Sequence, residues 1–250
     1  MKFFKRNDNI SGIEEVHQRT LHKNLNFTAL EQYKLLRANL DFTLPEGVKC
    51  PVIGIMSSIR SEGKSTTSVN LSFVLAERGS RVLLIDGDLR LPSLAKKMGL
   101  ENAPGLTNML IGQCDKTIED FKSGVLDTWY ILPAGDIPPN PSELLGTSRM
   151  GALLETFKSQ FDYIIVDLPP LNIVSDALSI SEMTDGMILV VREKYTARKE
   201  FKKCYRQLKL SNINVLGCVL TGIDSADSSY SNYKKYKYYK YYKNDEYRQE

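Results

Sequence analysis

Short apolar runs alternate with stretches of helical periodicity along most of the chain. The apolar runs are bounded by turn residues and predict six strands, at Val52–Met56, Val82–Ile85, Tyr130–Leu132, Tyr163–Val166, Met187–Val191 and Val215–Leu220. Helical spacing predicts helices at Phe27–Phe42, Lys64–Glu77, Arg149–Ser159, Asp176–Met183 and Ala197–Leu208. Strands that are apolar on both faces and alternate with helices are typical of a mostly parallel sheet covered on both sides, so the pattern predicts an α/β fold.

The two ends of the chain lack this pattern. Residues 1–26 are polar with weak periodicity, and we interpret them as an N-terminal arm. From about residue 225 the apolar residues other than tyrosine nearly cease, so residues 225–250 cannot join a hydrophobic core and are predicted to be a disordered tail. The folded domain is therefore expected to span residues 27–224.

Positive charge and tyrosine are concentrated in this C-terminal tail. The formal net charge is +3, and residues 230–250 hold six Lys and Arg side chains against three acids, so the first 229 residues are neutral. Eight of the thirteen tyrosines also lie there, at Tyr230, Tyr233, Tyr236, Tyr238, Tyr239, Tyr241, Tyr242 and Tyr247. Because a neutral body offers no basic groove, we do not expect the protein to bind nucleic acid.

Composition limits the class of protein further. Hydrophobic residues make up 42% of the 250 residues, which is ordinary for a folded domain. No apolar run approaches the roughly 18–20 residues of a transmembrane helix, and the basic N-terminus lacks an apolar signal region. The four cysteines are scattered, which disfavours a zinc site and favours reduced thiols. We therefore expect a cytoplasmic protein.

A phosphate-binding loop is predicted between the first strand and the following helix. Ser58-x-x-x-x-Gly63-Lys64-Ser65 fits the P-loop pattern, with Ser58 where the first glycine usually stands. Backbone amides can surround phosphates there, Lys64 can reach the β- and γ-phosphates, and the Ser65 hydroxyl can bind Mg²⁺. The predicted ATP contacts are Ser58, Ile59, Arg60, Ser61, Glu62, Gly63, Lys64, Ser65 and Thr66. The alternative is an ordinary strand-to-helix turn, but the strand before and the helix after favour a P-loop.

Carboxylates end two further strands. Asp86-Gly-Asp88-Leu-Arg90 ends the second strand, and Asp167-Leu-Pro-Pro170 ends the fourth. Because the carboxyl ends of parallel strands meet at one edge of a sheet, these side chains are expected beside the P-loop, where a magnesium nucleotide would bind. A single such Asp would usually cap a helix, whereas three beside a P-loop favour a nucleotide site.

Together these motifs resemble the bacterial protein-tyrosine kinases (BY-kinases) of capsule and exopolysaccharide operons. Three more stretches are similar, namely Pro138–Leu145, the helix with Glu31-x-x-Lys34-x-x-Arg37, and the terminal tyrosine cluster. The resemblance covers roughly residues 27–242. It implies a MinD-like P-loop fold and a kinase that uses MgATP to phosphorylate its own C-terminal tyrosines in trans.

The resemblance also implies a role for each catalytic residue. Lys64 would hold the phosphates, and Ser65 and Asp88 would bind Mg²⁺. Asp167 would be the Walker B acid, acting on the metal directly or through water. Asp86 would be the base for the incoming tyrosine hydroxyl, or would mainly orient it, because phosphoryl transfer needs positioning more than strong basicity.

Arg90 and three departures from the family pattern leave specific questions open. Arg90 is counted among the ATP contacts, and could pair with the site acids or with phosphate. The family usually has Pro-Gly where this loop has Arg60-Ser61. In the helix motif Lys34 replaces an arginine, and lysine cannot make the bidentate contact. Thr221 replaces an asparagine that often contacts adenine.

Partners follow from the resemblance. Glu31, Lys34 and Arg37 would form the interface of a ring-like homo-oligomer, an octamer in the family, although a local Glu31–Lys34 pair is the alternative. In Gram-positive members the cytoplasmic tail of a membrane adaptor activates a separate kinase chain. Such an adaptor would recruit this chain to the inner face of the plasma membrane. A cognate tyrosine phosphatase is also expected.

Two other functions are compatible with the same motifs. A ParA/MinD-type ATPase has this fold, but its signature lysine would stand at the position of Ile59. A nucleotide-gated scaffold without kinase activity would use the basic tail as a membrane tether. Incubation with MgATP and detection of phosphotyrosine would separate the kinase from both.

Overall fold

The computed structural model describes residue 25 and residues 27–44 and 46–223. The predicted tail of residues 225–250, with its eight tyrosines, lies outside the described residues. The N-terminal arm lies outside them as well, apart from residue 25.

Six strands form one parallel sheet. They are β1 Val52–Ser57, β2 Val82–Asp86, β3 Trp129–Leu132, β4 Tyr163–Asp167, β5 Gly186–Arg192 and β6 Val215–Thr221, in the order β3-β2-β4-β1-β5-β6. Each ladder between neighbouring strands is parallel. The six predicted strands are confirmed, since each observed strand contains the apolar run that predicted it. The two central strands are β1, which is followed by the P-loop, and β4, which ends at Asp167.

Eight α-helices accompany the strands in the described part of the chain. They are α1 Phe27–Thr43, α2 Lys64–Glu77, α3 Leu94–Met98, α4 Leu106–Leu110, α5 Pro141–Leu145, α6 Ser148–Lys158, α7 Asp176–Ser179 and α8 Arg198–Leu210. Short 3₁₀ turns occur at Ile118–Phe121 and Ser181–Met183. None of these described helices has the length and apolar character that would let it cross a membrane.

The differences from the predicted elements concern short segments. Helices α3, α4 and α5 have five residues each, and were missed because a helical repeat cannot be recognised over so few positions. A single helix over Asp176–Met183 is wrong, since α7 ends at Ser179 and a 3₁₀ turn begins at Ser181. The intervening Ile180 is β-branched and the flanking serines are weak helix formers, which favours the break.

Strands β1 to β5 are buried almost throughout, as the sequence pattern predicts, whereas the edge strand β6 has no buried residue. Within β1, Val52 and Met56 belong to one core cluster, whereas Ile53 and Ile55 belong to the other. Buried side chains of α1, α2 and α3 complete the core on the Ile53 side, and those of α4 to α8 complete the opposite core. This alternation is the period of two that a strand requires when both of its faces are buried.

Trp129 fixes α2 against the edge strand β3. Its side chain is fully buried, and the indole Nε1 donates a hydrogen bond to Ser72 Oγ at 3.1 Å. Its ring meets the ring of Phe73 edge to face, with 5.4 Å between centroids, a geometry that adds about 0.5–1.5 kcal/mol to the burial of apolar area. Since α2 begins at the P-loop, this contact helps to hold the P-loop helix in place.

Two glycines on adjacent strands provide a matched test of packing between β5 and β6. A Cβ at Gly186 would lie 2.5 Å from Leu216 Cγ, whereas a Cβ at Gly217 would have nothing within 4 Å. Gly186→Ala should lower the free energy of unfolding by roughly 1–3 kcal/mol, while Gly217→Ala should change it by less than about 0.5 kcal/mol. Urea unfolding measures both, and the cost of Gly186→Ala should shrink in a Leu216→Ala background. Equal losses of unfolding free energy at the two glycines would contradict the close contact between Gly186 and Leu216.

Candidate active site

The loop between β1 and α2 has the shape of a phosphate-binding turn. Gly63 precedes α2 in the left-handed region, with φ 94°, a conformation that favours glycine. Because Gly63 has no side chain, the first amides of α2 lack a side-chain cap. Uncapped amides at a helix N-terminus are donors for an anion, so the loop fits a phosphate.

Glu62 stabilises this loop through hydrogen bonds of its buried side chain and its backbone carbonyl. Its carboxylate is fully buried, accepts the backbone N–H of Ile59 at 2.6 Å, and accepts the hydroxyl of Thr196. The backbone carbonyl of Glu62 accepts a hydrogen bond from the Thr221 hydroxyl at 2.6 Å. Thr221 is the last residue of β6, so the loop is tied to the far side of the sheet. In this position Thr221 supports the loop, a role that the sequence did not indicate.

Lys64 lies between two carboxylates. Its Nζ is 3.2 Å from Asp88 Oδ2 and 3.4 Å from Asp167 Oδ2, and it donates to Ser65 Oγ at 3.3 Å. Burial alone would lower the pKa of Lys64, but the charges of Asp167, Asp88 and Asp86 outweigh burial and raise it. Lys64 therefore stays protonated and neutralises part of a strongly acidic edge of the sheet.

Asp86 is fully buried and has a structural role of its own. Its carboxylate accepts the backbone N–H groups of Asp88 at 3.2 Å, Ser93 at 3.0 Å and Leu94 at 2.9 Å. It thereby satisfies amides at the start of α3, which is the cap-like role weighed from the sequence. Burial and the neighbouring Asp167 carboxylate raise the pKa of Asp86 to about 7. The Asp86 side chain thus fixes the loop between β2 and α3 and also has a raised pKa.

Ser68 completes the cluster and was not predicted. Its buried hydroxyl donates to Asp167 Oδ1 at 3.1 Å, and it is also 3.0 Å from the backbone carbonyl of Lys64. Asp167 is therefore fixed on one oxygen by Ser68 and paired on the other with Lys64. The available signal was the spacing, because Ser68 follows Lys64 by four residues and so lies on the same face of α2.

Arg90 pairs with an acid that the sequence did not single out. Its Nε donates to Asp176 Oδ2 at 2.8 Å and its second guanidinium nitrogen donates to Asp176 Oδ1 at 3.0 Å. Asp176 is fully buried at the start of α7, and Ser142 also donates to it. In the described conformation Arg90 is thus paired with Asp176 and not with the acids that follow β2 and β4. This bidentate pair connects the loop after β2 to α5 and α7.

The three residues of the predicted oligomer motif lie on α1. Lys34 donates to Glu31 at 2.9 Å, which is the local pair considered as the alternative. Arg37 donates to the carbonyl of Val74 at 2.6 Å and so ties α1 to α2 within the same chain.

The residues at this edge fit a magnesium nucleotide. Three aspartates and the Ser65 hydroxyl supply oxygen donors, and Lys64 already places a positive charge between two of them. Among the described residues, no group of three or more His, Cys, Asp or Glu side chains is arranged to hold a metal ion alone. Mg²⁺ is commonly bound by one or two carboxylates together with phosphate oxygens and water.

Comparison with known proteins decides the family. The AAA domain family matches residues 52–214. The tyrosine-protein kinase YwqD of Bacillus subtilis is 35% identical over 194 residues, which cover 77% of this chain and 80% of that protein. The tyrosine-protein kinase CpsD of Streptococcus pneumoniae serotype 4 is 35% identical over 204 residues, covering 78% and 85%. The chain belongs to the bacterial tyrosine-protein kinases.

Solved structures agree with this assignment and place the fold. The kinase domain of Escherichia coli tyrosine kinase ETK matches with a TM-score of 0.73 and 30% identity, covering 79% of this chain and 77% of that chain. The septum site-determining protein MinD of Pyrococcus horikoshii, complexed with Mg-ADP, matches with a TM-score of 0.57 and 26% identity, covering 70% and 72%. The kinase therefore has a MinD-like P-loop fold, which is a nucleotide-binding fold.

One family departure in the kinase has a structural explanation. Ser61, which stands where the family usually has glycine, adopts a left-handed conformation with φ 64°. That conformation costs a residue other than glycine roughly 1–2 kcal/mol. The guanidinium of Arg192 donates to the carbonyl of Ser61 at 3.2 Å, and this bond holds the loop in the conformation that the serine disfavours.

The acidity of Asp86 should be visible in protein stability without nucleotide or metal. Its pKa is raised to about 7 in the folded state, whereas the pKa of an unfolded Asp is about 3.9. Between these values the folded state holds a proton that the unfolded state releases, so stability falls as pH rises from about 4 to about 7. Asp86→Asn removes this loss. The unfolding free energy of wild type relative to Asp86→Asn should drop by an amount on the order of 1–3 kcal/mol over that range.

Urea unfolding in the presence of EDTA at several pH values measures this difference. Because any constant effect of the amide is the same at each pH, only the slope is informative. A difference between the two proteins that stays flat from pH 4 to pH 7 would contradict the raised pKa of Asp86.

Proposed function

We propose that this kinase uses MgATP to phosphorylate tyrosines in the C-terminal tail of neighbouring copies of itself. Together with a membrane adaptor it would thereby control capsular or exopolysaccharide synthesis and export. The observation that carries the proposal is the position of Lys64, paired with Asp88 and Asp167 beside Ser65, at the mouth of a P-loop.

The phosphates of ATP are assigned to the P-loop amides and Lys64. Ser65, Asp88 and Asp167 would hold Mg²⁺, which when bound neutralises charge on the phosphates. The pairing of Lys64 with the two aspartates supports this assignment, because it places a cation beside their oxygens. Ser68 keeps one oxygen of Asp167 in a fixed direction, as a carboxylate that positions a metal requires.

Asp86 is assigned to the incoming tyrosine. It would orient the hydroxyl and accept its proton, as the family resemblance implies. Three backbone amides fix the carboxylate of Asp86, which supports a role in positioning. Positioning and charge neutralisation supply most of the catalysis in a loose phosphoryl-transfer transition state, so a fixed carboxylate suits this reaction.

The acceptors are assigned to the eight tail tyrosines, from Tyr230 to Tyr247. Two tyrosines of the folded body support this choice, because their hydroxyls already form hydrogen bonds within the body. Tyr130 is buried and its hydroxyl is hydrogen-bonded to Glu119, and the hydroxyl of Tyr163 donates to Asp41 at 3.0 Å. Tyr195 and Tyr205 are exposed, so an experiment has to distinguish them from the tail.

Assembly and regulation complete the proposal. A ring of eight copies would form through α1, where Glu31 and Lys34 are presented by a helix that Arg37 holds on α2. The exposed rings of Phe27 and Phe42 on the same helix support a protein interface there. An adaptor's cytoplasmic tail would activate the kinase at the inner face of the plasma membrane, and a tyrosine phosphatase would reverse the reaction.

A ParA/MinD-type ATPase remains the second candidate because the MinD likeness covers 70% of the chain. Against it stands Ile59, at the position of the signature lysine of those ATPases. Such a protein would release inorganic phosphate from ATP without forming phosphotyrosine, so one assay of the two products separates the candidates.

Substitution of Lys64 should abolish autophosphorylation. Lys64→Arg keeps a cation for Asp88 and Asp167 but not the compact ammonium, so we expect at least roughly 100-fold less phosphotyrosine and a nearly unchanged melting temperature. Lys64→Met should be equally inactive but less stable, because two buried carboxylates lose their partner. Anti-phosphotyrosine detection and thermal melts measure these effects, with Lys96→Met as the control. Activity of Lys64→Arg near wild type would refute the assigned phosphate site.

Transfer between chains can be tested with two defective proteins. A donor ending at residue 224 retains each described element, and full-length Lys64→Met serves as the acceptor. Mixed with MgATP, the donor should label the acceptor, and phosphopeptides should map to residues 225–250. The same donor carrying Lys64→Arg is the control and should transfer nothing. Label on Tyr195 or Tyr205, or an unlabelled acceptor beside an active wild type, would argue against transfer to the tail in trans.

A further inference from the structure

Helix α8 concentrates positive charge on one side of a body that is neutral overall. Its thirteen residues contain six cations and one acid, a net charge of +5. The cations are Arg198, Lys199, Lys202, Lys203, Arg206 and Lys209. Because the first 229 residues are neutral overall, the rest of that span carries the opposite net charge. The whole-chain charge of +3 conceals this separation.

The cations occupy the outward side of the helix. Cys204 and Leu208 are fully buried in the core beneath α8. The residues on the opposite side are all exposed, and they follow the spacing of one helical stripe, Lys199, Lys202, Arg206 and Lys209. We call these four residues the basic stripe.

Nothing in the described structure neutralises the basic stripe. Among the residues that the structure describes, no carboxylate forms a salt bridge with any of the six cations of α8. Glu200, the single acid of the helix, is directed instead to Asn172, whose side-chain amide donates to it at 3.0 Å. The electrostatic potential of the stripe is therefore available to a partner outside the chain.

Two exposed apolar side chains accompany the charges. Leu210, at the C-terminal end of α8, is 81% exposed, and Tyr205 on the flank is 39% exposed. Lysine and arginine stems with leucine and tyrosine beside them form the composition of a helix that lies in a lipid headgroup region. The outward side of a helix packed on a sheet is convex, so it matches an extended flat surface better than a peptide that needs a groove.

We propose that the basic stripe docks on the anionic lipid surface of a membrane. This contact is independent of the adaptor and of phosphoryl transfer, and it would orient the body of the kinase relative to the bilayer. The remainder of the body carries a net negative charge, so anionic lipids would repel it. The body would therefore bind through α8 and not through its other surfaces.

Vesicle flotation with the full chain tests the proposal. The probe is a phosphatidylglycerol–phosphatidylcholine vesicle, compared with pure phosphatidylcholine. Wild type should float with anionic vesicles only, and binding should weaken as salt increases. Lys199→Glu, Lys202→Glu and Arg206→Glu together should lower the partition coefficient by roughly 100-fold or more.

A matched control separates the stripe from net charge and from the basic tail. Lys49→Glu, Lys96→Glu and Lys116→Glu make the same change in net charge at other exposed positions, and both triple variants keep the tail. The control should bind within a few-fold of wild type. Both variants should also retain wild-type melting temperatures and phosphotyrosine formation in solution. If the triple Glu variant of the stripe is unstable, the corresponding triple Gln variant replaces it.

Three results would overturn the proposal. Equal losses in the stripe variant and the control would show that net charge or the tail is responsible. Wild-type flotation of the stripe variant would show that α8 is not involved. Binding to duplex DNA at lower protein concentrations than to anionic vesicles, with loss in the stripe variant, would assign the stripe to nucleic acid instead.

Discussion

The pairing of Lys64 with Asp88 and Asp167 is the interaction on which the site depends. Three buried or nearly buried carboxylates at the end of one sheet would repel each other strongly in a medium of low dielectric constant. One ammonium group offsets that repulsion and allows β2, β4 and the P-loop to end at the same place. The arrangement is possible only because the strands are parallel, so that their carboxyl ends share an edge.

The fold was largely readable from the sequence because its signals are local. The six strands are continuous apolar runs, and Gly63-Lys64-Ser65 sits between a strand and a helix. The family resemblance is confirmed by relatives that are 35% identical. The elements that were missed, such as α3, have too few residues to show a period. The start of α3 is fixed by a side chain instead, because the carboxylate of Asp86 accepts the backbone N–H groups of Ser93 and Leu94.

Pairings between distant residues could not be predicted in the same way. Arg90 and Asp176 are 86 positions apart, and nothing local marks Asp176 as more than an acid at the start of a helix. Ser68 was within reach of sequence reasoning, since it lies one turn beyond Lys64. The charge of α8 was also visible in the sequence, but the neutral total obscured it until burial had separated the inward from the outward face. The main site residues are therefore found in local motifs of the sequence. The structure adds the hydrogen-bond and salt-bridge partners of those residues, and it shows which side of α8 is exposed.

Thr221 gives the phosphate loop a mechanical connection to the end of the chain. Its hydroxyl holds the carbonyl of Glu62, and only Gly222 and Ile223 separate it from residue 224, where the segment leading to the tail tyrosines begins. Tension on that segment would act first on the last residue of β6, and so on the hydrogen bond between Thr221 and the carbonyl of Glu62. The loop proposed to bind the phosphates of ATP and the start of the segment proposed to receive phosphate are thus both connected to Thr221.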